Sequence, residues 1–196
     1  LVRTNGTAAY APTSSGLDPL LLRPAVDLVR ALLADQAGRV HVLVVEATYP
    51  NQTLVHAEHD GNRWTKENLA MGSFSVQPVM MEVALDGTLL VAWPSGDGRD
   101  LLVSARGSGG WTTRTLAGVT AAWLTGDERG EPHFLAASSV HWFLGPAGWE
   151  SEIVPVDASA VLGFQATRGG LSLVYEPRLG LSGAVEIVDR DAQGWG

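Results

Sequence analysis

Asp60-Gly61-Asn62-Arg63-Trp64 and Gly109-Gly110-Trp111 decide how this chain is read. Each is a glycine turn closed by a tryptophan, and the same ending returns at Gly148-Trp149 and Gly194-Trp195. The four tryptophans are spaced by 47, 38 and 46 residues, and a period of about 40 to 50 residues is that of a four-stranded unit repeated as a propeller blade. A second marker keeps step with the first. Gly38 precedes the apolar run Val40 to Val45, Gly87 precedes Leu89 to Trp93, Gly130 precedes His133 to Ala137, and Gly169-Gly170 precedes Leu171 to Tyr175. Trp64, Trp111, Trp149 and Trp195 follow Gly38, Gly87, Gly130 and Gly170 by 26, 24, 19 and 25 residues.

Working outward, each unit reads as four short strands with turn residues between them. In the first they are Leu28 to Ala34, Val40 to Ala47, Thr53 to His59 and Trp64 to Leu69. In the second they are Val79 to Leu85, Thr88 to Trp93, Asp100 to Ala105 and Trp111 to Leu116. The third runs Val119 to Leu124, His133 to Ala137, Val140 to Leu144 and Trp149 to Val154. The fourth has Val161 to Ala166, Leu171 to Tyr175 and Ala184 to Val188, with nothing left for a last strand. Ala25 to Ala34 also carries apolar residues at helical spacing, but it sits where Val79 to Leu85 sits in the next unit and is read as a strand. The expected fold is an all-β propeller of about four blades in a single domain over 1–196, with repeat units near 25–70, 76–117, 118–156 and 157–196. Residues 1–16 are a loop or the strand that closes the fourth blade; otherwise the chain is part of a larger propeller. It starts at Leu1 without an initiator Met, as a processed form or a piece of a longer protein would.

A 196-residue chain that is 45% apolar and 17% charged has the balance of a folded globular domain, one that buries roughly 70% of its unfolded surface. Thirteen Lys and Arg against 21 Asp and Glu give a net charge of −8, so nucleic acid is not an expected partner. There is no cysteine, which removes disulfides and thiolate chemistry. The longest apolar candidate, Leu17 to Leu33, is broken by Asp18, Arg23, Pro24, Asp27 and Arg30, so membrane insertion is not expected. The expected location is secreted or extracytoplasmic.

The Trp-ended turns resemble the Asp-box, or BNR, repeat of sialidase-type propellers, Ser-x-Asp-x-Gly-x-x-Trp between the third and fourth strands. Gly61 and Trp64 match it, with Ala57 and His59 in place of Ser and Asp. Ser104 and Trp111 match it, with Arg106 and Ser108 in place of Asp and Gly. The last two copies keep Trp149 and Trp195. The resemblance implies the fold. A sialidase-like glycoside hydrolase would also need an arginine cluster, an acid/base Asp and a Tyr activated by a Glu. The chain has only Tyr10, Tyr49 and Tyr175, and no motif that groups three of its arginines.

A Trp at the same place in every unit is expected to be structural, the plug of each turn. Ligands of propellers usually meet the face that carries the loops between second and third strands and those from the last strand of one blade to the first of the next; the former give Tyr49, Asn51, Gln52, Trp93, Asp97, Arg99, Tyr175, Glu176 and Arg178 as candidate binding residues, aromatic rings beside polar groups. His41 and His133, each three residues after a turn Gly where Leu90 stands in the second unit, read as packing positions. His56, Glu58 and Asp60 alternate along one strand. They share a face that could hold a metal but reads as an exposed polar face, so no metal site is expected. Asp189, Asp191 and Gly194 read as an ordinary turn. Nucleophile elbows, phosphate-binding glycine loops and HExxH are absent, so no catalytic residue and no cofactor is expected. The reading is a non-catalytic module that binds a protein or glycan. The alternatives are a sialidase-like hydrolase, or a scaffold fragment that self-associates or belongs to a longer parent chain.

Overall fold

The structure, a computed structural model, describes residues 3–4, 8–13, 16–21, 27–48, 51–72, 79–177, 185–191 and 193–196. The chain falls into two compact units, Leu1–Met81 and Glu82–Gly196. The fold is all-β and contains four four-stranded antiparallel sheets of propeller-blade type, each a meander in chain order.

In the first unit, β1 (Arg3–Thr4), β2 (Ala8–Thr13) and β3 (Gly16–Leu21) pair with one another in a small antiparallel sheet. Sheet 1 follows as β4 (Leu28–Ala34), β5 (Val40–Thr48), β6 (Asn51–His59) and β7 (Trp64–Gly72). The helical alternative for the β4 segment is thus replaced by a strand, whose register shifts at Val29/Ala31 where the spacing was ambiguous. Sheet 2 begins at the boundary with β8 (Met80–Val83) and continues through β9 (Leu89–Pro94), β10 (Leu101–Gly107) and β11 (Gly110–Leu116). Sheet 3 is β12 (Ala121–Gly126), β13 (Pro132–Ala136), β14 (Val140–Gly145) and β15 (Gly148–Ile153). A 3-10 turn at Ala158–Ala160 leads into sheet 4, β16 (Val161–Thr167), β17 (Gly170–Tyr175), β18 (Glu186–Asp191) and β19 (Gly194–Trp195).

Two expectations are corrected. The fourth sheet has its own last strand, since Gly194 and Trp195 turn back and pair with Asp191 and Arg190. Residues 3–4 and 8–13 pair within the N-terminal sheet, so the described part of 1–16 is neither a loop nor the outer strand of sheet 4.

The turn glycines mark the sheets because the backbone needs them. Gly38, Gly87 and Gly130 have φ of 80°, 91° and 75°, a region open to glycine at little steric cost. In each, the glycine N–H returns to the carbonyl three residues back, on Asp35, Ala84 and Asp127. In sheet 1, β5 and β6 are buried along most of their length, and Leu43, Val44, Leu54 and Val55 are fully excluded from solvent. Successive strand residues point to opposite faces, so unbroken burial means that both faces are covered.

In the second unit, β12 lies alongside β16. Leu135, Val154, Val161, Phe164, Leu171 and Leu173 form the core between sheets 3 and 4, with Trp123, Tyr175 and Trp195 against it. The buried Thr125 hydroxyl accepts a bond of 2.9 Å from the Ala166 N–H. Gly126 lies against Ala84, and a Cβ there would come within 2.6 Å of a Leu90 methyl. The tryptophans add sheet-to-sheet ties: Trp149 Nε1 donates to the Thr115 carbonyl at 3.0 Å, and Trp195 Nε1 donates to Glu152 at 2.9 Å. Trp64 packs on Val40, Val42, Val44 and Ala57, and Arg106 lies over the Trp111 ring at 5.9 Å.

Candidate functional site

Strand register places one polar motif in two sheets. In sheet 1, Leu43 pairs with His56 and His56 with Glu67, which makes His41 the diagonal neighbour of His56 on one face. His41 Nδ1 and His56 Nε2 are 3.0 Å apart, with rings stacked at 5.3 Å. His41 Nε2 faces Asp35 at 3.4 Å, and His56 Nδ1 faces Glu67 at 3.8 Å. In sheet 3, His133 Nδ1 and His141 Nε2 are likewise 3.0 Å apart, between Asp127 at 3.7 Å and Glu152 at 2.7 Å. Each forms a chain of carboxylate, imidazole, imidazole and carboxylate.

Sheets 2 and 4 have apolar residues at the same places. Leu90 and Val103 replace the two histidines in sheet 2, Leu171 and Val188 replace them in sheet 4, and Ala84 stands where sheets 1 and 3 have Asp35 and Asp127. The alternation was legible as Asp-x-x-Gly-x-x-His, which occurs at Asp35 to His41 and at Asp127 to His133.

Two readings change here. His41 is 2% exposed, as a packing residue would be, but it is bonded into a polar chain. His56 and Glu58 are 1% and 9% exposed, so they are not an exposed polar face; β6 is covered on both sides. Asp60 has left the strand for the turn, where it accepts the N–H groups of Asn62 and Arg63.

A neutral imidazole carries one N–H, so two rings supply two protons per chain, and the short contacts show where they serve. In sheet 3 they complete the links from His133 to His141 and from His141 to Glu152. In sheet 1 they complete the links to Asp35 and between the rings. Burial lowers the pKa of His41 and His133 and takes that of His141 to about 4, against the opposing hydrogen bond to Glu152. The shifts favour the neutral form of these three rings. Glu152 also accepts both Arg190, through Nε and through Nη2 at 3.3 Å, and Trp195. Burial raises its pKa, but the bonds from Arg190 and His141 outweigh this and hold it low.

The sheet 3 chain opens at its Asp127 end into a cleft of about 340 Å³ between sheets 3 and 4. Asp127, Glu128 and Asp191 line it with Arg129 and Arg190, and the Gly169-Gly170 turn forms one wall. Its acids are already oriented: Asp127 accepts the N–H groups of Arg129 and Glu131, and Glu128 accepts that of Gly169. A second cavity of about 460 Å³ touches the first strands of sheets 2, 3 and 4 and includes Glu82, whose carboxyl is pushed up by burial.

The loop residues singled out from sequence fall in both units. Tyr49 and Arg178 lie outside the described residues. Asn51 and Gln52 open β6 in the first unit. Trp93 is 2% exposed and presents no ring face for stacking. Asp97 is held in its turn by Ser95 and by the N–H of Arg99. The Tyr175 hydroxyl donates to Glu186 at 2.7 Å, which raises its pKa and keeps it protonated, while the Glu176 N–H bonds to the Ala160 carbonyl. Asp189 accepts Ser172, and Asp191 accepts the Gln193 N–H.

No family model and no curated protein matches the chain. Among solved structures it is similar to PorZ, an essential bacterial surface component of the type-IX secretion system of Porphyromonas gingivalis, with 16% identity and a TM-score of 0.46. The match covers 95% of this chain and 29% of that one. A likeness at that level does not extend to function.

Proposed function

We propose that the chain is a non-catalytic, extracytoplasmic binding module of degenerate Asp-box descent, which takes a polar segment of a protein or a glycan in the cleft between sheets 3 and 4. The observation that carries this reading is the lining of that cleft. Three acids and two arginines converge around about 340 Å³, within the roughly 300 to 1,000 Å³ of ligand sites. Mixed charge with exposed turn backbone suits a ligand rich in hydrogen-bonding groups. The absence of catalysis is supported by how the titratable groups are used. The histidine chain recurs in two sheets, as a feature of the repeat does, and Asp127, Glu128 and Arg190 are committed to protein partners.

The test is a glycan array and a peptide array probed with the purified chain, followed by titration of the best ligand. Arg129→Glu and Asp191→Lys should each weaken that ligand at least about tenfold, the effect of losing one charge-assisted hydrogen bond of about 1.5 kcal/mol or more. Unchanged affinity in both variants would remove the cleft from the reading. Turnover of a fluorogenic glycoside that is lost on changing Tyr175 or Glu186 would replace it with the hydrolase. A mass that rises with concentration, without ligand binding, would favour the scaffold.

A further inference from the structure

We propose that His41, His56 and Glu58 of sheet 1 form a binding site for one divalent transition-metal ion of the zinc class. The inward-facing atoms are His41 Nδ1, His56 Nε2 and Glu58 Oε2. The first two are 3.0 Å apart and the first and third 3.8 Å, and one ligand atom from each of the three residues lies within 4.8 Å of the other two. Two nitrogens bound tetrahedrally to zinc at 2.0–2.1 Å are about 3.3 Å apart, so movement of the Glu58 carboxylate toward the two rings would complete three corners of the coordination shell. Two imidazoles and a carboxylate are a donor set zinc accepts, and an open fourth position can take water.

The surroundings are those of a metal site as well. Metal-binding histidines usually direct their other ring nitrogen to a carboxylate, which fixes the tautomer and raises the basicity of the ligand. Here the outer nitrogens face Asp35 at 3.4 Å and Glu67 at 3.8 Å. Moving the His56 proton from Nε2 to Nδ1 turns both N–H groups outward to those acids, frees both inner lone pairs and costs the pair of rings no net proton. Charge agrees: Asp35, Glu58 and Glu67 carry three negative charges against one on Arg39, which lies 3.6 Å from the other Glu58 oxygen. The remaining two negative charges match a divalent cation.

Sheet 3 provides the internal control. It has the same pair of rings and the same outer acids, but Phe143 pairs with His133 where Glu58 pairs with His41. Among the described residues, no third donor stands beside that pair of rings.

The experiment uses the whole chain, stripped with chelator and titrated with Zn²⁺ against a chromophoric competitor and with Co²⁺ by visible absorption. One ion per chain, with the intense absorption of tetrahedral Co²⁺, is expected. Asp35→Asn should weaken binding by about 10- to 100-fold, the usual effect of losing an outer carboxylate. Glu58→Gln should weaken it further while preserving shape. His41→Leu with His56→Val copies the Leu90 and Val103 pair of sheet 2. It should keep the far-UV spectrum, lose the ion and lose the rise in unfolding midpoint that Zn²⁺ gives the wild type. No Zn²⁺ or Co²⁺ binding by the wild type, or undiminished binding by the double variant, would overturn the assignment.

Discussion

Acidification should destabilise sheet 3 in a way traceable to one ring. His141 is fully buried, with Phe143, Phe164 and Trp195 at centroid distances of 5.2, 5.8 and 5.7 Å. Burial, partly offset by the bond to Glu152, brings its pKa from 6.5 to about 4. Because the folded pKa is the lower one, the unfolded chain binds the proton more readily. Stability is then full above pH 6.5, falls as the pH drops below it, and stops falling near pH 4. At 1.36 kcal/mol per pH unit, the loss is roughly 2 kcal/mol by pH 5 and roughly 3 kcal/mol by pH 4. For a chain of this size, 2 kcal/mol is about 4 to 8 °C in Tm. Glu152, held low by its partners, gives way only below its ordinary range of about 4.5 and does not contribute between pH 7 and pH 5. His41 and His133 act in the same sense as His141, so a variant is needed to assign the effect. His133→Leu with His141→Val copies the pairs of sheets 2 and 4 and leaves His41 in place. Scanning calorimetry of both proteins at pH 7 and pH 5, in chelator and at constant ionic strength, should show a smaller Tm loss in the variant by about 4 to 8 °C. Equal losses in the two proteins would refute the argument, as would a wild type no less stable at pH 5.

Glu152→Gln removes the charge that gathers His141, Arg190 and Trp195 between sheets 3 and 4. The side chains of Glu152 and Arg190 are 28% and 23% exposed, so solvent screening brings the expected cost to about 2 to 3 kcal/mol, measurable by urea unfolding. Gly126→Ala forces a methyl into Ala84 and Leu90 where sheets 2 and 3 meet. It should cost about 1 to 3 kcal/mol, and an unchanged urea midpoint would show that the sheets can move apart. Trp149→Phe keeps an aromatic ring, though a smaller one, and drops the bond to the Thr115 carbonyl; a loss of at least about 1 kcal/mol is expected in the same assay.

Periodicity alone determined the repeat. Trp64, Trp111, Trp149 and Trp195 close the last hairpin of each sheet, and the glycines that precede the second strands stand where the backbone needs positive φ. Both signals are local, since a turn's conformation depends on its own few residues, and local chemistry can be read in one dimension. The last strand of sheet 4 is not legible in the sequence, because a two-residue strand carries no alternation to read. What covers a strand is different, because it depends on residues far away in sequence. His56, Glu58 and Asp60 alternate as a solvated edge would, yet β6 is covered on both faces and only Asp60 reaches the surface. The Asp-x-x-Gly-x-x-His motif was present twice in the sequence. That each histidine meets a second one on the next strand follows from hairpin register, which places residues 15 apart in one case and 8 apart in the other at the same 3.0 Å. The tertiary structure thus turned two packing positions into polar chains, and it decided that only the one beside Glu58 has a third donor.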